Sequence, residues 1–209
     1  MPEPIYGLVA LGLVHPRRVK RNSGARDGDL IILGKPLGIG ILSAALKKGL
    51  LGPEGYATML RHTTRLNTPG VRLAEMAEVH AMTDVTGFGL AGHLLELCRG
   101  SRLAASVRFA ALPLIAEAVG FVQEGVATGA SMRNWKSYGA DVSLPVGAPA
   151  WQQTLLTDPQ TSGGLLVACA PQAAPAVLAE LHGAGFAEAA VIGRLETGPA
   201  RLRVEEGER

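Results

Sequence analysis

The chain has 209 residues, 47 % of them hydrophobic and only 4 % aromatic, with 27 glycines and a net charge of +2. That length accommodates one large domain, or a domain plus part of another, with a core built from Ala, Leu, Val and Gly rather than large rings. The small charge argues against nucleic acid or an anionic membrane surface as a partner, and no run of about 18 apolar residues offers a membrane span.

In chain order, Met1-Pro2-Glu3-Pro4 leads straight into residues 5–14, an apolar stretch with strand character on both faces. Such a strand needs partners on each side, and its sheet mates are expected to lie outside the chain. His15-Pro16 ends it, and Arg17-Arg18-Val19-Lys20-Arg21 reads as a solvated basic loop, with phosphate steering as the alternative. Asp27-Gly28-Asp29 turns into a strand over 30–33. The glycine-rich loop Gly34-Lys35-Pro36-Leu37-Gly38-Ile39-Gly40 follows, then a helix over 41–51. Its glycine spacing fits neither a P-loop nor a dinucleotide fingerprint. Lys35 could reach a phosphate as a point charge, or stand as an ordinary loop lysine.

Pro53 starts a second helix, with Tyr56, Met59, Leu60 and Thr63 on one face, and Asn67-Thr68-Pro69-Gly70 stops it. A short helix is expected over 71–78. Residues 79–84 read as a buried strand, and the helix after it runs over 87–98. Between them stands Met82-Thr83-Asp84-Val85-Thr86-Gly87-Phe88-Gly89-Leu90. A carboxylate at a strand end beside a helix N-terminus suits Mg²⁺ carrying a phosphate. Gly87 and Gly89 would allow close approach of backbone to a ligand or a neighbouring element. The alternative is an Asp that merely caps the helix. His93 inside that helix is expected to be packed or solvent-facing, not a ligand.

Further on, 103–109 is strand-like, Pro113 opens a helix to 123, and 125–149, which holds Gly129, Arg133, Asn134, Trp135, Tyr138 and Asp141, has the least regular pattern: a long surface excursion, either functional or simply wrapped over the sheet. A short helix over 151–156 runs into the polar turn Thr157-Asp158-Pro159-Gln160-Thr161-Ser162-Gly163-Gly164, which could form an anion-binding nest or a tight helix-to-strand connection. A strand over 165–169, a helix over 171–182 and strands over 190–195 and 200–204 complete the pattern, with a charged tail from 205. Strands and helices are intermixed, which predicts an α+β fold with a mixed sheet covered by helices. Cys98 and Cys169 sit in apolar runs without metal spacing. With no disulfide framework and no signal-peptide layout, a cytoplasmic protein is expected.

Five segments together resemble the selenophosphate synthetase (selenide, water dikinase) family, in its C-terminal part: Pro2-Glu3-Pro4-Ile5-Tyr6-Gly7-Leu8, Arg21-Asn22-Ser23-Gly24-Ala25, Lys35-Pro36-Leu37-Gly38-Ile39-Gly40, the stretch from Met82 to Leu90, and Asp158-Pro159-Gln160-Thr161-Ser162-Gly163-Gly164-Leu165-Leu166. They occur in the family's order over essentially the whole chain. Either of the last two alone points only to the wider aminoimidazole-ribonucleotide-synthetase-like superfamily, with thiamine-monophosphate kinase and a hydrogenase maturation factor. The resemblance implies an ATP- and Mg²⁺-dependent enzyme that makes selenophosphate, AMP and phosphate from selenide, ATP and water. It implies a homodimer in the full-length family. It also implies that Asp84 is a metal-binding aspartate, with Gly87, Gly89 and Lys35 as candidates for the phosphates, and Asn22 and the Asp158 turn lining the same cleft. The family's catalytic Cys or selenocysteine segment is not matched. Residues 1–26 are therefore expected to be the end of a preceding ATP-binding domain and 27–209 the synthetase-like domain, inactive alone. A non-catalytic binding module, or a related enzyme acting on another nucleophile, stands beside this reading.

Overall fold

Leu30, Ile31, Ile32 and Leu33 form strand β1 (Leu30–Leu33), and the last three have no exposed surface. A strand apolar on both faces belongs inside a sheet covered on both sides. The computed structural model, which describes residues 7, 9 and 11–206, places it there. Its antiparallel neighbours are β5 (Leu165–Cys169), buried throughout, and β6 (Ala190–Glu196). β2 (Val79–Asp84) pairs with β5 at one edge. Beyond β6 lie β3 (Ala104–Arg108), β7 (Leu202–Glu205) and the two-residue β4 (Val142–Ser143). Because β3 is antiparallel to β6 but parallel to β7, the seven-stranded sheet is mixed, in the order β2-β5-β1-β6-β3-β7-β4.

Helices cover the two faces unequally. α1 (Ile39–Lys47), α4 (Gly89–Ser101), α5 (Ala116–Gln123) and α7 (Ala150–Leu156) bring Leu42, Leu94, Ala118 and Leu155 into one core with Ile31, Leu166, Val107 and Leu202. On the other face α3 (Pro69–Leu73) and α8 (Ala174–Gly183) set Leu73, Val177 and Leu181 against Ile32, Val167 and Cys169. That second layer does not reach β3 and β7. There Ala105, Val107, Leu202 and Val204 point inward, while on the other face Arg108, Arg203 and Glu205 are exposed and Ser106 is buried. This is the α+β arrangement expected.

Four local expectations change. α1 begins at Ile39, two residues early, and α3 ends at Leu73. α2 (Pro53–Thr64) points Tyr56 and Leu60 outward, and its buried residues are Gly55 and His62. The supposed excursion over 125–149 contains α6 (Gly129–Tyr138), capped by Thr128, whose Oγ1 accepts from the Ser131 amide at 3.1 Å. Of the strand expected over 5–14, residues 5, 6, 8 and 10 lie outside the described residues, and residues 7, 9 and 11–14, which are described, are exposed. Among the described residues no helix is long and apolar enough to cross a membrane.

The segment before β1 lies against the domain. The Met82 amide donates to Arg21 O at 3.3 Å and the Ala25 amide to Ser101 Oγ at 3.1 Å. Within the basic run Arg18 pairs with Glu75 at 2.8 Å, and Lys20 Nζ donates to Met76 O at 2.8 Å.

Candidate metal and phosphate site

Asp84 ends β2 in register with Leu165 of β5. It is exposed, and its carboxylate has no hydrogen-bond or ion-pair partner among the described residues. The next residues are held firmly. The Val85 amide donates to Gly164 O and the Gln160 amide to Thr86 O, both at 3.0 Å. Thr86 Oγ1 lies 3.1 Å from His93 Nε2, and His93 Nδ1 lies 3.0 Å from Glu96 Oε2. His93 is thus packed, with both ring nitrogens engaged, as expected of a helical histidine.

α6 supplies the remaining support. Asn134 Nδ2 donates to Gly87 O at 2.9 Å and to Thr157 O at 3.0 Å. The Tyr138 hydroxyl donates to Phe88 O, and burial pushes its pKa upward, which keeps the donor proton in place. The turn therefore has its two carbonyls tied inward. The amides of Gly87 and Phe88, both exposed residues, donate to no acceptor among the described residues. An exposed carboxylate next to two open amides has the donor set for a cation together with an anionic oxygen.

Of the two glycines, Gly87 has open space around it, whereas Gly89 is buried at φ 69°. A methyl on Gly89 would stand 2.7 Å from Thr157 C and 2.9 Å from its Cα. Gly89 is required by the left-handed turn and by contact with the end of α7. This corrects its placement as a phosphate-facing position.

Lys35 is corrected more sharply. It is buried, and its Nζ donates to His62 O at 3.1 Å, Arg65 O at 2.7 Å and Ser162 O at 2.6 Å. All three ammonium protons are used inside the protein, leaving none for a phosphate. The Asp158 turn is not a vacant nest either. Asp158 Oδ2 accepts from the amides of Gly40 and Ile41 at 3.0 and 3.2 Å, and Gln160 Oε1 from those of Gly38 and Ile39 at 3.2 Å each. Two side chains from the far end of the sequence cap α1, which explains its early start. Asn22 has its carbonyl beside Gly100 near the end of α4, and its neighbour Arg21 accepts from the Met82 amide, two residues before Asp84.

Burial pushes the Cys98 thiol up to about 12 and the Cys169 thiol up to about 11, so neither is a poised nucleophile. Among the described residues no group of three or more His, Cys, Asp and Glu side chains could hold a metal. The sequence reading places Asn134 and Tyr138 in an irregular excursion, not on the helix that aims them at the turn. Their spacing of four on a helix, behind the Thr128 cap, was the available signal.

The model of the AIR synthase related protein, C-terminal domain, matches residues 26–205. The chain belongs to that family. Similar proteins include the selenide, water dikinases of Paraburkholderia xenovorans (60 % identical over 97 % of the chain and 57 % of the relative) and of Pseudomonas straminea (55 %, over 97 % and 57 %). The chain thus spans somewhat over half the length of these curated relatives. Among solved structures, Escherichia coli HypE, a hydrogenase maturation protein, aligns with a TM-score of 0.64 at 19 % identity, covering 89 % of this chain and 48 % of that one. Thiamine-monophosphate kinase from Stenotrophomonas maltophilia aligns at 0.61 and 20 %, covering 91 % and 54 %. These two likenesses concern the fold alone.

Proposed function

We propose that the chain is the C-terminal part of an ATP- and Mg²⁺-dependent selenophosphate synthetase, converting selenide, ATP and water to selenophosphate, AMP and phosphate. The observation that carries this is identity of 51 to 61 % along 97 % of the chain with relatives named selenide, water dikinase.

Asp84 suits the part of a magnesium ligand. Mg²⁺ is commonly held by one or two carboxylates together with substrate phosphates. Asp84 is a solvated carboxylate with no competing partner among the described residues. The bound ion would neutralise charge that develops as phosphoryl groups leave. In this reading Asp84 holds the ion, and the Gly87 and Phe88 amides donate to a phosphate oxygen. Asn134 and Tyr138 keep the turn in that pose. The other metal ligands come from outside the described residues. Cytoplasmic location and homodimeric assembly belong to the same proposal.

In the assembled enzyme Asp84→Asn should lower Mg²⁺-dependent AMP formation on the order of 100-fold. Its thermal midpoint should not move, because the carboxylate is exposed and unbonded. Near-normal turnover would remove Asp84 from the metal site.

A further inference from the structure

Lys35 is a buried cation, with 2 % of its surface exposed and no ion pair among the described residues. Lysine is almost never buried without a partner. The three carbonyls around Nζ take the place of one, and they come from two separate parts of the chain. His62 O and Arg65 O belong to the last turn of α2, where the helix dipole favours a cation. Ser162 O belongs to the loop that precedes β5. Burial, and then Arg65, lower the lysine pKa to about 8, so the ammonium form prevails at neutral pH.

Ser162 is held in an unusual backbone state. Its φ is 49°, in the left-handed region that non-glycine residues seldom occupy. The two residues after it leave no slack. A side chain at Gly163 would overlap Val85 O, and one at Gly164 would overlap the Lys35 amide. The loop then bonds across to the Asp84 turn through Val85 N to Gly164 O and Gln160 N to Thr86 O. A continuous line of close contacts therefore runs from the end of α2 through Lys35, Ser162 and Gly163 to the residues following Asp84.

We infer that Lys35 is a positioning residue, an internal ammonium clamp that ties the end of α2 to the Ser162 loop and thereby sets where the Asp84 carboxylate and the Gly87 and Phe88 amides stand. Its bearing on catalysis rests on the metal reading proposed above; the clamp itself does not.

The test uses the assembled enzyme, in which the remaining metal ligands are present, in two measurements. In Lys35→Met, amide hydrogen exchange at Val85 and Gln160 should accelerate at least tenfold more than at the amides of β3 and β7. Equal acceleration throughout the sheet, or none at the loop, would overturn the clamp. If Lys35→Met does not fold, Lys35→Gln, which keeps two N–H donors but no charge, is held to the same two outcomes. The second measurement titrates Mn²⁺ and follows paramagnetic broadening of the Val85 and Thr86 signals. Half-broadening should need about tenfold more Mn²⁺ in the Lys35 variant than in the wild type, and equal concentrations would refute the positioning role. Asp84→Asn should abolish the broadening and leave exchange at Gln160 unchanged. An assembled wild-type enzyme without Mn²⁺ broadening would count against the metal reading, while the exchange result still decides the clamp.

Discussion

Asp158 lies wholly inside the protein, with Oδ2 accepting from the Gly40 and Ile41 amides and from Gln160 Nε2, while Oδ1 has no partner among the described residues. Burial pushes its pKa up to about 7, and the three hydrogen bonds only partly oppose that. A carboxyl whose pKa is higher folded than unfolded binds more protons in the native state between those two values. Stability from this group is therefore complete below about pH 4 and is lost as pH rises through about 7. Asp158→Asn should flatten that slope. The difference in unfolding free energy between wild type and variant should change by a few kcal/mol between pH 4 and 7, at roughly 1.4 kcal/mol per pKa unit. Urea titrations at a series of pH values measure it, and parallel curves would contradict the assignment. Asp84 is the same residue type with a different environment, since it is exposed at a strand end. Residue identity and local motif suggest polar work for both. Burial, which depends on what packs around them, separates a helix-capping carboxyl from a candidate metal ligand.

At the scale of elements, the strand–turn–helix around Asp84 is legible because its parts are local. β2 buries Val79 and Ala81 on one face and ends in Asp84, and Gly89 permits the left-handed residue that opens α4. The reason for each glycine is not legible in the same way. Gly89→Ala should destabilise the chain by about 2 kcal/mol or more, from the strained φ and the Thr157 contact combined. Gly87→Ala, in open space, should stay within roughly 0.5 kcal/mol of wild type. Chemical denaturation distinguishes the two, and similar losses would mean that the packing against α7 is misread. α6 was the chief miss. Its buried face carries Ser131, Asn134 and Tyr138 rather than aliphatic residues, and its tie to the site runs through Asn134 and Tyr138, which bond to carbonyls some fifty positions away in sequence. Apolar periodicity does not register such a helix. α1 starts early for a similar reason, because its cap comes from Asp158 and Gln160.

For the whole molecule, the edge of the sheet at β2 carries the consequence of the segment before β1. Residues 21–25 lie along that edge through the Met82 to Arg21 bond, and the His80 ring bonds Asp29, with Nδ1 to Oδ1 at 2.8 Å. Removing residues 1–25 should uncover the edge, lower the thermal midpoint by several degrees and promote self-association, as unpaired edges do. Calorimetry and size-exclusion chromatography test this, and an unchanged midpoint with a single monomer peak would show that the segment does not protect β2.

The sequence by itself determined the strand cores over 30–33, 79–84, 165–169 and 190–195 and the candidate carboxylate, because period and local chemistry are short-range properties. The pairing order β2-β5-β1-β6-β3-β7-β4 was decided only in three dimensions. So were the spending of Lys35 and Asp158 on internal contacts, and the support of the Gly87 turn from α6. A buried polar group must find partners wherever the fold brings them. For Lys35 one of those partners stands 127 positions away.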